Sequence, residues 1–147
     1  MPVKARWEYH GIYYITSGVV TADEVSAAQR LAHSPPEGVR PQYQIIDARN
    51  TEKFDFDQME IFNVSADDVT LGKKFPNFKI AFVTTLKNVE ATFMDHLKIS
   101  WSLNSDAEIR MFKTIDAARE WINLPFPKSD GDSDLTRGDT GTKLSLP

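Results

Sequence analysis

The sequence predicts an α/β fold with a largely parallel or mixed β-sheet, and two observations lead to this prediction. Segments with a β-strand pattern alternate with segments of helical periodicity through the first 124 residues. One of them, Ile80–Val83, is a continuous apolar run of the kind found in strands that are covered on both faces. Helices that connect successive strands cross over the sheet, so the strands that they join lie parallel.

The N-terminal part is predicted to be a β-hairpin followed by a helix. Arg6–Tyr9 and Ile12–Val20 are rich in β-forming residues, and a His-Gly pair separates them like a turn. Thr21 and Glu24 form the pattern of a capping box, in which each side chain accepts a hydrogen bond from the other residue's backbone N–H. The apolar stripe of the helix that follows consists of Val25, Ala28, Leu31 and Ala32.

The middle of the chain is predicted to be strand, helix and strand. Tyr43–Ala48 is a short β-forming run that ends in polar residues. Residues 57–74 are predicted to be helical in two pieces, Asp57–Phe62 and a second piece that begins at Ser65, a preferred N-cap residue. The clearest strand of the chain, Lys79–Thr85, follows.

The C-terminal part is predicted to contain two helices, a strand and a tail. Asn88–Leu103 is a long helical segment, Ile109–Lys113 is a short strand, and Thr114 is the predicted N-cap of a last helix that runs to Ile122. After Leu124 the composition changes to Gly, Ser, Thr, Asp and Pro, which bury too little apolar area to offset the entropy of ordering. We therefore predict one domain, residues 1–124, and a flexible polar tail, residues 125–147.

The composition excludes several classes of protein and site. The 147 residues include no cysteine, which excludes disulfides, thiolate nucleophiles and cysteine-ligated zinc. A net charge of -4 without clusters of Lys and Arg argues against nucleic-acid binding. No apolar run approaches the roughly 18 residues of a membrane-spanning helix. We expect a cytoplasmic protein without an integral membrane segment.

No catalytic, metal or cofactor motif is recognisable. His10, His33 and His96 lie on different predicted elements and lack the spacing of metal ligands. The chain has neither a Gly-rich phosphate loop nor a Gly-x-Ser-x-Gly elbow. We therefore expect a protein that is not an enzyme and needs no cofactor, with an undetected hydrolase or transferase kept as an alternative.

Three stretches of the chain resemble a known family of small domains. Gly18–Glu24 looks like a strand that leads into a first helix, Ile45–Arg49 like a central strand that ends in Asp, and Met111–Ile122 like a closing strand and helix. With the order of elements they resemble the anti-sigma-factor-antagonist (STAS) domains, particularly the SpoIIAA-like branch, over roughly residues 7–123. The resemblance implies a mixed, mainly parallel sheet of four or five strands with helices packed mainly on one side.

The resemblance also implies a regulatory domain that binds a protein partner. In typical members, the loop after the central strand carries a Ser or Thr within an Asp-Ser-Ser-Gly-like motif, and phosphorylation there changes which protein is bound. This chain departs from that pattern, because Asp47 is followed by Ala, Arg, Asn and Thr51. Thr51 is the one hydroxyl in the predicted loop and is therefore the candidate phospho-acceptor.

Polar residues at the ends of the predicted strands form a candidate site for a partner or an anion. Ligands of crossover-connected sheets tend to bind at the carboxyl ends of the strands. The candidate residues are Asp47, Arg49, Asn50, Thr51, Thr85 and Lys87, with Lys113 nearby. The structural alternative is that Asp47 accepts hydrogen bonds from the N–H groups of its own loop and forms an ion pair with Arg49.

The apolar stripe of the long helix offers a second candidate site. Val89, Phe93, Leu97 and Trp101 recur at intervals of four residues, which is typical of a helix face that packs on a sheet. Alternatively, Phe93, Leu97 and Trp101 line a groove together with other aromatic residues, namely Phe62, Phe75 and Phe78. In that case the protein carries a small, lipid-like apolar ligand. The N-terminal hairpin is in addition a candidate edge for a homodimer.

Overall fold

The computed structural model describes residues 2–124, and the predicted tail lies outside them. These residues form a five-stranded sheet in the order β1-β2-β3-β4-β5, in which β1 is antiparallel to β2 and the other neighbours are parallel. This confirms the predicted α/β class with a mixed, mainly parallel sheet. The elements are β1 (Val3–Trp7), β2 (Gly11–Thr21), α1 (Ala22–Ala32), β3 (Tyr43–Asp55), α2 (Gln58–Lys74), β4 (Lys79–Val83), α3 (Lys87–Ser102), β5 (Glu108–Phe112) and α4 (Ile115–Ile122).

The helices are divided three to one between the two faces of the sheet. Helices α1, α2 and α3 each connect one parallel strand to its neighbour in the same direction, and right-handed crossovers of this kind leave all three on one face. Helix α4 follows the edge strand β5 and packs on the opposite face. The core under α1–α3 includes Tyr14, Ala28, Leu71, Phe82, Val89, Phe93 and Leu97, and the core under α4 includes Tyr43, Ile45, Val83, Ala118 and Trp121.

Two helix starts agree with the sequence prediction. At α1, the backbone N–H of Thr21 donates to the Glu24 carboxylate (2.8 Å), and the Glu24 N–H donates to the Thr21 hydroxyl (3.3 Å). At α4, the Thr114 hydroxyl accepts a hydrogen bond from the N–H of Ala117 (3.1 Å). In both cases the side-chain oxygen satisfies an N–H group that has no partner within its helix.

Helix α2 is one continuous helix, so the predicted break at Ser65 was wrong. The helix begins at its own capping box, formed by Asp57 and Glu60. Ser65 lies in the helix interior, fully buried, and its hydroxyl donates to the carbonyl of Ile61 (2.8 Å). A serine whose hydroxyl bonds one turn back is satisfied within a helix and does not end it. Asp68, one turn later, is therefore buried instead of lying in an exposed first turn.

Strand β3 is longer than predicted, because it continues through Asp55 instead of ending near Ala48. Its second half pairs with the second half of β2, and β3 carries one more residue than β2 between the pairs Ile15–Asp47 and Ser17–Asn50. This irregularity is a β-bulge, which lets a strand continue with a changed orientation of its side chains. The predicted polar loop after Asp47 is therefore part of the sheet.

Candidate functional site

The ends of β4 and β5 lie side by side, whereas β2 and β3 continue together beyond them. The strand register aligns Asp47, Val83 and Phe112 as neighbours across β3, β4 and β5. Thr85 and Lys113, just beyond the ends of β4 and β5, are exposed near this row. Asp47, however, lies within β3 and not at its end.

The Asp47 carboxylate accepts most of its hydrogen bonds from Arg49, a residue of the same strand. Arg49 donates to it three times, from Nε to Oδ1 (2.8 Å), from Nη2 to Oδ2 (2.9 Å) and from its backbone N–H (3.3 Å). The Tyr13 hydroxyl donates to Oδ2 (3.0 Å). Burial raises the pKa of Asp47, but these hydrogen bonds outweigh that effect and hold the pKa below its usual value. The structural alternative, in which Asp47 pairs with Arg49, is therefore the geometry observed.

The remaining residues predicted for this site are not drawn together with Asp47. Thr85 and Lys87 are exposed, and within residues 2–124 neither forms a hydrogen bond or ion pair with Asp47 or Arg49. Asn50 is exposed on β3. Thr51 is completely buried, and its hydroxyl shares a hydrogen bond of 2.5 Å with that of Thr16. The predicted placement of Thr51 in an accessible loop was wrong, and no space for a phosphate exists there in the folded domain.

A second ionic group lies on the same face of the sheet. Arg119 of α4 donates to both oxygens of Glu8 (2.6 Å each), and the Tyr43 hydroxyl donates to Glu8 Oε1 (2.5 Å). The hydrogen bond from Arg119 is the largest cause of the lowered pKa of Glu8, about 2, and burial raises the pKa of Tyr43 to about 12. We call Glu8, Tyr13, Tyr43, Asp47, Arg49 and Arg119 together the charged network.

The opposite face of the sheet contains a cavity of about 80 Å³ beneath helices α1, α2 and α3. Two of its rings are stacked, those of Phe82 and Phe93, with centroids 4.7 Å apart. Val25, Phe56 and Thr92 are half-buried and mark the side on which the cavity approaches solvent. The apolar lining consists of Val3, Tyr14, Val25, Ala28, Ile46, Phe54, Phe56, Ile61, Val64, Ile80, Phe82 and Phe93, and the polar lining of Thr16, Gln29, Gln44, Asp68, Thr92 and His96.

Four of the polar lining residues form one hydrogen-bonded group, which we call the polar cluster: Gln29, Gln44, Asp68 and His96. The Asp68 carboxylate is at its centre. It accepts from Gln29 Nε2 at Oδ1 (3.0 Å), from His96 Nε2 at Oδ2 (2.8 Å) and weakly from Gln44 Nε2 at Oδ1 (3.5 Å). Gln29 Nε2 also donates to the carbonyl of Val64 (3.0 Å). Helices α1, α2 and α3 and strand β3 each contribute one member.

Two buried atoms of the polar cluster have no hydrogen-bond partner. They are the side-chain oxygen of Gln44 and Nδ1 of His96. Because Nε2 of His96 bonds Asp68, Nδ1 is the ring nitrogen that has no partner among residues 2–124. Unpartnered buried polar atoms are rare in folded proteins and call for an explanation at each occurrence. The His96–Asp68 pair resembles the base of a hydrolase, and no hydroxyl of residues 2–124 contacts Nδ1 of His96.

Of the three residues predicted to line a groove along α3, one lies at the cavity. Phe93 lines the cavity. Leu97 is completely buried in the core but does not reach the cavity, and Trp101 is 37% exposed. Phe62 is also exposed, and Phe75 and Phe78 pack against the core instead of lining the cavity. Most of the stripe therefore packs on the sheet, which was the first interpretation of its spacing, and not in a groove.

The sequence analysis missed the polar cluster, although a signal was present. Each member is a polar residue at a position where the surrounding pattern requires an apolar one. Gln44 lies within a β-forming run, and His96 lies between Phe93 and Leu97 on the apolar side of α3. Gln29 is buried on α1, whereas Leu31, which was assigned to the apolar stripe, is 51% exposed. Buried polar residues at such positions mark structural networks or binding sites.

No group of residues within positions 2–124 has an arrangement that could hold a metal ion. None of the helices in this range has both the length and the apolar character to cross a membrane. Strand β1 forms one edge of the sheet, as the expected homodimer requires, and that association stays a prediction.

The comparisons with known proteins concern the fold. No protein-family model matches the sequence, and no curated protein matches it significantly. The chain is similar to the solved structure of an uncharacterised protein from the DUF3478 family of Shewanella loihica PV-4. The two chains are 15% identical with a TM-score of 0.48, and the similarity covers 82% of this chain and 91% of that one. That protein is described as having a SpoIIAA-like fold, which is the fold that the sequence resemblance implied.

Proposed function

We propose that this domain is a noncatalytic binding module that holds a small, mainly apolar molecule between its sheet and helices α1–α3. The observation that carries the proposal is the cavity, whose walls are aromatic and aliphatic except at the polar cluster. Ligand sites of proteins commonly combine apolar walls with a few polar groups that orient the ligand.

The volume of the cavity limits what it binds. An engineered cavity of roughly 150 Å³ binds benzene, and pockets for drug-sized ligands have roughly 300–1,000 Å³. At about 80 Å³, this cavity accepts a molecule of a few heavy atoms, or one end of a longer molecule that extends past the half-buried Val25, Phe56 and Thr92.

Xenon tests the proposal directly, because it enters apolar cavities without needing a polar contact. We expect xenon-saturated buffer to shift the amide NMR signals around Phe82 and Phe93 in the full chain. Native mass spectrometry of freshly purified protein should in addition show a bound small molecule. An absence of shifts together with a spectrum of ligand-free protein would contradict the proposal.

Two substitutions on α1 provide a matched comparison. Val25→Phe adds a ring to the lining and should abolish the xenon shifts, whereas Leu31→Phe places the same ring on the exposed side of that helix and should leave them unchanged. Thermal melts of both variants establish that they remain folded.

Partner binding at the charged network is a second candidate function. It is favoured by the side chain of Arg49, which is 49% exposed although it pairs with Asp47, and by exposed Asn50 beside it. The test compares Arg49→Ala with the control Lys53→Ala, an exposed residue of the same strand, in affinity capture from a lysate of the source organism. Equal recovery of every protein by the two variants would argue against this candidate.

A further inference from the structure

We propose that the ligand of the cavity is an uncharged molecule with a hydrogen-bond donor, in chemical terms a small alcohol, whose hydroxyl binds between Gln44 and His96. This inference rests on the proposed function and adds the class of ligand. It follows from the two buried atoms of the polar cluster that have no partner among the residues that the structure describes, Oε1 of Gln44 and Nδ1 of His96.

The acceptor on Gln44 is held in a defined orientation. Gln44 is 2% exposed, and its amide nitrogen is directed at Asp68, which can only accept. The amide oxygen is therefore the atom left without a partner. Gln44 lies on β3, the central strand of the sheet, so the backbone beneath this side chain is fixed by pairing on both sides.

Nδ1 of His96 is also held in a fixed orientation, because Asp68 bonds the other ring nitrogen. The hydrogen bond from Nε2 to Asp68 (2.8 Å) fixes the ring, and Phe93 lies nearly parallel to it at a centroid distance of 6.1 Å. Nδ1 is buried without a partner in a residue that lines the cavity. The fixed acceptor on Gln44 selects a ligand that supplies a hydrogen-bond donor, and a hydroxyl has one proton for it.

The charges around the cluster exclude an anionic ligand. A carboxylate would bring a second negative charge next to Asp68 and would present only acceptors to the amide oxygen of Gln44. An ammonium group would also lose its hydration, while Asp68 already accepts from both Gln29 and His96. A hydroxyl donates without carrying a charge, and it fits a volume of about 80 Å³.

The test compares 1-butanol, methyl propyl ether and butyrate in NMR titrations of the full chain. The alcohol and the ether are isomers, so they differ in the donor and hardly in size. We expect 1-butanol to bind about fivefold to tenfold more tightly than the ether, as one neutral hydrogen bond predicts. Butyrate should bind more weakly than either.

Gln44→Leu tests the residue assignment, because it removes the acceptor and nearly preserves the side-chain volume. The ratio of alcohol to ether affinity should fall to about one in this variant if the bond to Gln44 supplies the preference. Ser100→Ala is the matched control, since Ser100 also carries a buried hydroxyl without a partner but does not line the cavity. Using a ratio cancels any general change in cavity shape.

The outcomes separate this inference from the proposed function. Equal affinities of the alcohol and the ether in the unmodified protein, or tighter binding of butyrate, would overturn the assignment of an alcohol while leaving a cavity that binds apolar molecules. A failure of all three probes and of xenon would overturn both.

Discussion

The two faces of the sheet each carry a group of polar side chains around a carboxylate, and the two groups differ in how completely they are satisfied. In the charged network, Arg49 and Tyr13 saturate Asp47, and Arg119 and Tyr43 saturate Glu8. In the polar cluster, Asp68 is satisfied, but Gln44 and His96 line a cavity and each retain a buried atom without a partner in the described part of the chain.

This difference separates a structural network from a binding site. Charge-assisted hydrogen bonds that use both oxygens of a carboxylate stabilise the fold and leave nothing for a ligand. A buried acceptor without a partner destabilises the fold, and its position next to a cavity is the reason that we propose a ligand as the missing partner. The polar residues that the sequence made most visible, Asp47 and Arg49, belong to the structural group.

The largest expected effect comes from removing the carboxylate at the centre of the polar cluster. Asp68→Ala should lower the free energy of unfolding by about 3 kcal/mol, because it leaves Gln29 and His96 buried without their acceptor. Urea denaturation followed by circular dichroism measures this change.

Asp67→Ala is the control for that experiment. Asp67 pairs with His33 at 3.0 Å, but its side chain is 37% exposed against 6% for Asp68. We expect a loss of at most about 1 kcal/mol, as for other exposed pairs. Equal losses in the two variants would show that the different burial of Asp67 and Asp68 does not affect their contribution to stability.

The contribution of the charged network to the free energy of unfolding should depend on pH. The pKa of Glu8 is lowered from 4.5 to about 2, so its stabilisation is complete above pH 4.5 and is lost as the pH falls toward 2. Glu8→Gln should reduce the free energy of unfolding at neutral pH by about 1–2 kcal/mol, the scale of lost charge-assisted hydrogen bonds.

Urea denaturation of both proteins from neutral pH down to about pH 3 checks this prediction. The difference between them should shrink below pH 4.5, where Glu8 of the folded parent is still ionised but the unfolded chain takes up a proton. Glu120→Gln, an exposed position on the same helix as Arg119, is the control. A difference that stays constant at all pH values would mean that the Glu8–Arg119 contact is not the source.

Substitutions of the two buried glutamines of the polar cluster should change the free energy of unfolding in opposite directions. Gln44→Leu should raise the free energy of unfolding by about 1 kcal/mol, because it removes an unpartnered acceptor. Gln29→Leu should lower it by about 1–2 kcal/mol, because Gln29 donates to both Val64 and Asp68. Denaturation of the two variants under the same conditions measures both changes. A loss of equal size in both variants would mean that the oxygen of Gln44 is satisfied in solution.

The smallest expected effect concerns Arg49. Because its side chain is 49% exposed, Arg49→Ala should change the free energy of unfolding by less than about 1 kcal/mol. The pKa of Asp47 should rise, since the hydrogen bonds from Arg49 are what lower it. An NMR titration of the Asp47 carboxyl carbon measures the rise, and an unchanged pKa would show that Tyr13 and the backbone suffice.

Local interactions made much of the fold predictable. The capping box of Thr21 and Glu24 and the N-cap at Thr114 involve residues three apart, so their chemistry is complete within one turn. The alternation of strands and helices predicted a mainly parallel sheet, because a helix that crosses over between two strands leaves them running in the same direction. Neither inference needed knowledge of distant residues.

Ser65 and the second half of β3 show where local reasoning failed. Ser65 followed by two Asp residues has the pattern of a helix start, yet its hydroxyl finds the Ile61 carbonyl inside a longer helix. Residues 49–55 are mostly polar, yet β2 supplies the neighbouring strand that makes them β-structure. In the first case the serine is satisfied one turn back within a longer helix, and in the second a strand distant in sequence decided the outcome.

By itself, the sequence determined the fold class, the helix starts at Thr21 and Thr114, and the contact between Asp47 and Arg49, since each depends on periodicity or on neighbours within a few residues. Only the tertiary structure decided where the candidate site lies. Gln29, Gln44, Asp68 and His96 come from four different elements, and they meet because three crossovers place α1, α2 and α3 on the same face of the sheet.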